Sequence, residues 1–183
     1  MQWGLDVVGP LPLAPSLLRY LLVATDYFSK WVEAVLLSQV MAKHVIKFLC
    51  VHIITRFGIP HTIISDNGTN FTSHEVADFY AKYKIKHHFS TPYYPQGNGQ
   101  AEVSNRTLLS NLSKSLEKAK GKWVEKLPGV LWAYRTTKRV PTGEMSFSLA
   151  YGAEAVILAE VYMPTLRTED PDSELNASLI RLA

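Results

Sequence analysis

The chain has 183 residues, 47% of them hydrophobic, with 19 Lys and Arg against 16 Asp and Glu and a formal net charge of +3. This length is typical of one domain with a sizeable core, and no run approaches the ~18 consecutive apolar residues of a membrane span, so we predict no membrane partner. Cys50 is the only cysteine, which excludes an internal disulfide and a zinc site built on several cysteines.

Three strands begin the predicted fold. Apolar, β-branched and aromatic runs at residues 3–8, 20–27 and 31–37 are separated by turn-prone segments, and this spacing predicts an antiparallel meander. A helix is predicted next over residues 41–57, because apolar residues recur there at helical spacing and a glycine and a proline follow as stop signals.

Strands and helices alternate after this helix. Residues 62–65 form a predicted buried strand that ends at Asp66, Ser73 is a suitable cap for a helix to about residue 83, and residues 86–89 return as a strand. A meander followed by this alternation predicts an α/β protein with a mixed five-stranded sheet flanked by helices.

The last third of the chain is predicted to be mainly helical. Its segments are a loop rich in proline and glycine at residues 90–99, a long helix at 100–120, a helix at 123–135 and a short packed segment at 147–151. We assign one domain to residues 1–160 and predict that residues 161–183, which are rich in acids and proline, form a tail or the start of a linker.

Charge is unevenly distributed along the chain. Residues 1–103 hold eight Lys or Arg against seven Asp or Glu, residues 104–139 hold nine against two, and residues 140–183 hold two against seven. A cluster of positive charge attracts a phosphate backbone without reading its sequence, although a solvated, lysine-rich helix face has the same composition. The basic block at residues 104–139 therefore favours a nucleic-acid partner only together with a neighbouring site.

Three acids stand in settings that suggest such a site. Asp6 lies late in the first strand, Asp66 follows the fourth strand within Ser-Asp-Asn-Gly, and Glu102 lies near the start of the long helix, with 35 residues between Asp66 and Glu102. Oxygen donors without neighbouring Cys or His suit hard divalent cations such as magnesium. Two such ions can stabilise the attacking and leaving oxygens of a phosphodiester, so the trio predicts phosphoryl transfer on a nucleic acid.

Each acid also has a structural explanation. Asp6 could cap a turn, Asp66 could belong to an ordinary Asp-Asn-Gly turn, and Glu102 could complement a helix dipole. Asp26 competes with Asp6, because it too lies late in an apolar strand. One shared site accounts for Asp6, Asp66 and Glu102 together, so we assign the metal role to these three. The six histidines show no zinc-binding spacing, and zinc is not expected.

The acids and their flanks resemble the catalytic core of retroviral and retrotransposon integrases, in particular that of gypsy-type long-terminal-repeat retrotransposons of plants. The matching segments are residues 3–12, 22–34, 57–71 and 91–108, with further matches at 132–137 and 147–156. The resemblance implies a ribonuclease H-like fold. It also implies that Asp6, Asp66 and Glu102 are catalytic and hold two Mg²⁺ or Mn²⁺ ions, and that Asp26 has a structural or supporting role.

The resemblance further implies an enzyme that trims the 3′ ends of double-stranded DNA and joins them to target DNA. Such a polynucleotidyl transferase would bind both element ends and target DNA, act as a homo-oligomer and work in the nucleus. The implied DNA contacts are Tyr93, Gln96, Asn98, Asn105, Arg106 and, within the basic block, Lys114. Arg106 could instead pair with Glu102 on the helix surface.

Two other functions stay open. We expect neither the zinc-binding nor the C-terminal DNA-binding module of a full integrase in this chain, and residues 138–141 and 144–146 depart from the family pattern. The alternative is therefore a catalytically inactive remnant that binds nucleic acid or oligomerises. A ribonuclease H that cuts the RNA of a hybrid is a third hypothesis, although the glycine-rich loop before Glu102 favours an integrase.

Overall fold

The structure is a computed structural model that describes residues 1–14, 17–90, 114, 123–139 and 142–155. Its strands are β1 (Gln2–Val8), β2 (Tyr20–Asp26), β3 (Val32–Leu37), β4 (Thr62–Ser65) and β5 (Lys86–Phe89). They form one sheet in the order β3-β2-β1-β4-β5. The pairs β1–β2 and β2–β3 are antiparallel, whereas β1–β4 and β4–β5 are parallel. The predicted mixed five-stranded sheet is confirmed.

Helices flank this sheet, namely α1 (Ala42–Phe48), α2 (Thr55–Phe57), α3 (Thr69–Thr72) and α4 (His74–Lys82). Later in the described part of the chain come α5 (Trp123–Thr136) and α6 (Ser146–Tyr151). A π-helical segment, Leu49–Ile54, joins α1 to α2, so the single helix predicted for residues 41–57 contains a wider turn in its middle. As predicted, Ser73 caps α4, its hydroxyl accepting a hydrogen bond from the Val76 amide at 3.4 Å.

The core lies on the helix-covered face of β1. The Trp3 ring packs against Phe57 of α2, with their centroids 5.2 Å apart, and Val45 and Ile53 are fully buried alongside. Burying an aliphatic side chain of this size stabilises a fold by about 1.5–3 kcal/mol, so these contacts hold the helices over the sheet. Strand β2, between β3 and β1, is buried from Leu21 to Asp26, as expected for a strand covered on both faces.

Helix α5 is anchored near the end of β1. Trp123, Leu127 and Leu131 are buried at a spacing of four residues, which places them on one face of the helix. The indole of Trp123 donates a hydrogen bond to the Pro12 carbonyl at 2.7 Å. This bond ties the beginning of α5 to the segment that follows β1.

Contacts divide the chain into two compact units, Met1–Trp132 and Ala133–Ala183, and α5 runs across this boundary. The domain boundary predicted at residues 160 and 161 lies outside the described residues and stays a prediction. Within the described ranges, no helix combines the length and the apolar character that a bilayer crossing requires.

Candidate catalytic site at the carboxyl end of the parallel strands

Asp6 and Asp66 come from two neighbouring parallel strands. In the pairing of β1 with β4, Trp3 lies opposite Ile63 and Gly4 lies opposite Ile64. Continuing that register by two residues sets Asp66 opposite Asp6. Neighbouring strands lie about 4.8 Å apart and alternate residues share a face, so we expect the two acids at one edge of the sheet, on the same face.

The carboxylate of Asp6 is held by the strand that carries it. Asp6 is half-buried near the end of β1, between the buried residues Leu5 and Val8. Its Oδ1 atom accepts a hydrogen bond from the Val7 amide at 2.7 Å. This hydrogen bond fixes one oxygen of the carboxylate at the end of the packed strand.

Asp66 is exposed, although it follows a strand whose four residues are all buried. Its Oδ1 atom accepts a hydrogen bond from the Gly68 amide at 2.9 Å, which closes a short Asp turn before α3. A Cβ atom added to Gly68 would lie 2.9 Å from the same Oδ1 atom. A side chain at position 68 would therefore require the Asp66 carboxylate to shift.

The third acid and most of the predicted DNA contacts lie outside the described residues. These are Glu102, Tyr93, Gln96, Asn98, Asn105 and Arg106. Lys114 is described, and it is helical and exposed. The Ser90 amide donates to the Ser65 carbonyl at 2.8 Å, so Ser90, the last described residue before position 91, lies beside the end of β4. The metal role of the trio stays a prediction.

The donors at this edge fit a hard divalent cation. Asp6 and Asp66 supply carboxylate oxygens, the ligands that Mg²⁺ and Mn²⁺ prefer, and two acids from adjacent strands can reach a shared ion. Within the described ranges, which do not include Glu102, no group of three or more His, Cys, Asp or Glu forms a metal-binding cluster.

The model of the integrase core domain family matches residues 2–95. The chain belongs to this family. Over 143 residues it is 36% identical to the Gag-Pol polyprotein of Avian reticuloendotheliosis virus, a match that covers 78% of this chain and 12% of that polyprotein. The integrase core thus spans about an eighth of the length of this relative. The origin in a gypsy-type plant element stays a prediction, because this relative is retroviral.

Solved structures of retroviral proteins share the fold of this integrase core. A chain of the simian T-cell lymphotropic virus intasome matches with a TM-score of 0.65 and 23% identity, covering 85% of this chain and 56% of that one. The HTLV-2 integrase catalytic core domain matches with a TM-score of 0.61 and 23% identity, covering 82% of this chain and 95% of that one. The ribonuclease H-like fold is therefore confirmed.

Asp26 occupies the opposite end of the sheet in this integrase core. It pairs with Trp3 across antiparallel strands and is only 6% exposed. Its Oδ2 atom accepts hydrogen bonds from both the amide and the hydroxyl of Ser29, each at 2.8 Å. These bonds shape the turn between β2 and β3, so Asp26 has the structural role that the sequence predicted.

Sequence reasoning missed two side-chain contacts, one next to Asp66 and one at the opposite end of the sheet. The His87 ring contacts Ser65, the residue before Asp66, and the pKa of His87 is lowered by burial and by the neighbouring His88. Glu33 is 4% exposed and accepts hydrogen bonds from Trp31 and Arg56. Neither pairing follows from the sequence alone, since each requires the strand register or the helix packing.

Proposed function

We propose that this integrase core is a polynucleotidyl transferase that depends on two Mg²⁺ or Mn²⁺ ions. It would trim the 3′ end of double-stranded DNA and join that end to target DNA by in-line phosphoryl transfer. The observation that supports this function is the parallel β1–β4 pairing, whose register, extended by two residues beyond Gly4 and Ile64, sets Asp66 opposite Asp6 at the carboxyl ends of the two strands. Ligands in α/β folds commonly bind at this end of a sheet.

Asp6, Asp66 and Glu102 would hold the metal ions. When bound, two such ions stabilise the charge on the attacking and leaving oxygens of a phosphodiester. The protein's own contribution is to prearrange the acids. The amides of Val7 and Gly68 each fix one carboxylate oxygen, so the two side chains need little reordering before the substrate binds.

The proposed partners are DNA and further copies of the chain. One structural neighbour is described as an intasome, and the other as a trimeric form in complex with magnesium. We extend metal binding and self-association to this chain as part of the proposal, together with a nuclear location and an origin in a gypsy-type retrotransposon. The proposed DNA contacts are Tyr93, Gln96, Asn98, Asn105, Arg106 and Lys114.

The decisive experiment measures reversal of strand transfer on a branched DNA with Mg²⁺ or Mn²⁺. We expect Asp66→Asn to lower the rate by roughly three orders of magnitude, because a metal ligand is lost, while the melting temperature stays unchanged. The control is Asp78→Asn, which alters an acid on α4 whose side chain is 67% exposed. Full activity of Asp66→Asn would contradict the proposal.

The same preparation separates the other hypotheses. Salt-dependent DNA binding without any metal-dependent turnover would select the inactive remnant, which uses the basic block at residues 104–139. Preferential cleavage of the RNA in an RNA–DNA hybrid would select a ribonuclease H.

A further inference from the structure

A hydrogen-bonded chain links β5 to the backbone of Asp66. The Ser65 hydroxyl donates to the Asp66 carbonyl oxygen at 2.9 Å, and the Nε2 atom of His87 lies 2.9 Å from the oxygen of the same hydroxyl. Ile63 is the register partner of His87, so Ser65 lies two residues further along β4 on the same face. Strand pairing therefore sets the distance between His87 and Ser65.

The direction of these hydrogen bonds fixes the position of a proton. A serine hydroxyl carries one proton, and here that proton goes to the Asp66 carbonyl. The Ser65 oxygen can then only accept from His87, which requires a proton on Nε2. Burial, with a smaller contribution from His88, lowers the pKa of His87 below its usual value of 6.5. A neutral ring with its proton on Nε2 satisfies both of these contacts.

The His87 ring is held in place by two aromatic neighbours. Its centroid lies 4.8 Å from that of Tyr80 on α4 and 4.6 Å from that of Phe89, which meets it at 66°. Tyr80 is 3% exposed, so the ring lies between a buried side chain of α4 and the Phe89 side chain of its own strand. A ring fixed in this way presents its Nε2–H donor in one direction.

Asp66 depends on its backbone for orientation. Its side chain is exposed, whereas Ser65 is 2% exposed. The hydrogen bond from Ser65 holds the Asp66 carbonyl, and the hydrogen bond from Gly68 holds its carboxylate. Together they fix both ends of the residue, so a change in the Ser65 bond would be transmitted to the carboxylate.

We propose that His87 is a positioning residue of the catalytic site, acting through the Ser65 hydroxyl to orient the Asp66 carboxylate for its metal ion. This inference rests on the proposed function, because it requires Asp66 to be a metal ligand. His87 itself touches neither metal nor DNA in this scheme. Residues that orient a metal ligand typically change metal affinity by 10–100-fold when they are removed.

The first test reads the tautomer directly in the full chain without metal. Nitrogen NMR of the histidine rings should show His87 with a protonated Nε2 and a bare Nδ1, and Ser65→Ala should remove the hydrogen-bond shift of Nε2. A His87 ring protonated on Nδ1 would overturn the proposal, because Ser65 would then receive no proton from it.

The second test measures Mn²⁺ binding to the folded chain by electron paramagnetic resonance. We expect His87→Phe and Ser65→Ala each to raise the dissociation constant roughly tenfold. His87→Gln should stay within about twofold of the wild type, because its amide nitrogen donates from a similar position. His88→Phe is the matched control, since His88 is exposed on the adjacent position of the same strand.

The outcomes distinguish the inference from the proposed function. If Asp66→Asn weakens Mn²⁺ binding but Ser65→Ala and His87→Phe do not, only the role of His87 is overturned. If Asp66→Asn leaves Mn²⁺ binding unchanged, the metal role of Asp66 falls, and the positioning role falls with it. Should His87→Phe not fold, Ser65→Ala and the tautomer decide, because Ser65→Ala removes only a hydroxyl.

Discussion

The two ends of the sheet hold acidic side chains in opposite ways. Asp26 and Glu33, at the end where β2 runs into β3, are almost fully buried and bound to side chains of their neighbours. Asp6 and Asp66, at the other end, are half-buried and exposed, and each has a backbone amide on one oxygen. Burial with side-chain partners marks an acid that shapes the fold, whereas backbone support at a more exposed strand end is the setting we expect for an acid that binds a ligand.

The largest expected difference in activity between the two ends comes from exchanging an acid for its amide at each end. We expect Asp6→Asn to lower the rate of strand-transfer reversal by roughly three orders of magnitude, because a metal ligand is lost, while its amide oxygen can keep the Val7 bond. Asp26→Asn should retain activity and lower the free energy of unfolding by about 1–2 kcal/mol, because a buried amide donor replaces an oxygen. Rate assays and urea unfolding of both variants measure the two effects. Equal losses of activity would contradict the distinction.

The cluster of Glu33, Trp31 and Arg56 tests whether the buried acids at the end of β2 and β3 stabilise the fold. Glu33→Ala removes the acceptor for the Trp31 indole at 2.7 Å and for Arg56 at 2.6 Å. We expect a loss of about 2–3 kcal/mol in the free energy of unfolding, since a buried donor is left unpaired while Arg56 regains water. Urea unfolding measures the loss, and Glu75→Ala, at an exposed position in α4, is the control. A loss below that of the control would show that the cluster does not stabilise the fold.

Glycine substitutions test the close approach at the other end. Gly68→Ala would place a methyl group 2.9 Å from the Asp66 carboxylate, so we expect about a tenfold loss of activity from a shift of a few tenths of an ångström. Gly129→Ala, in the open interior of α5, should instead stabilise the protein by about 0.5–1 kcal/mol and leave activity unchanged. Thermal melts and rate assays of the pair separate the two effects. Unchanged activity in Gly68→Ala would mean that the turn adapts.

The smallest expected effect is on the pH dependence of stability, and it comes from His52, near Glu33. Burial lowers the pKa of His52 below 6.5, despite the opposing charge of Glu33. The unfolded chain therefore binds this proton at higher pH than the folded chain does. The stability that His52 contributes is present above pH 6.5 and is lost as the pH falls through its folded-state pKa.

We expect His52→Gln to flatten the fall in unfolding free energy between about pH 7 and about pH 5. Urea titrations at several pH values measure the slope. A slope identical to that of the wild type would assign the pH dependence to other groups.

Local patterns in the sequence predicted most of the fold. The three strands of the meander, the strand that ends at Asp66 and the cap at Ser73 all agree with the structure to within a residue or two. Each depends on signals that lie within a few residues of one another: alternation, turn residues and a capping hydroxyl. The meeting of Asp6 and Asp66 stays a prediction, although the parallel pairing of β1 with β4 brings both strand ends to the same edge of the sheet.

The remaining features depend on contacts that no short segment specifies. The bond between Ser65 and His87 needs the parallel register of β4 and β5, and the Glu33–Arg56 pair needs a helix docked on an edge strand. Neither sequence neighbourhood contains a signal for its partner. For the acidic trio, the parallel pairing of β1 with β4 supports the placement of Asp6 and Asp66 at one edge of the sheet, and their shared metal role with Glu102 stays a prediction.

The π-helical segment has a consequence for how this chain can vary in length. A π turn holds one residue more than an α turn, and each residue of a helix rotates the next by about 100° around the axis. Deleting exposed Val51 would let the segment close into an ordinary α-helix. Arg56 would then still face Glu33 and Phe57 would still face Trp3, because the same two residues stay hydrogen-bonded when an i→i+5 turn loses one residue and becomes an i→i+4 turn. The π turn thus lets this helix carry one additional residue without changing the orientation of its end against the sheet.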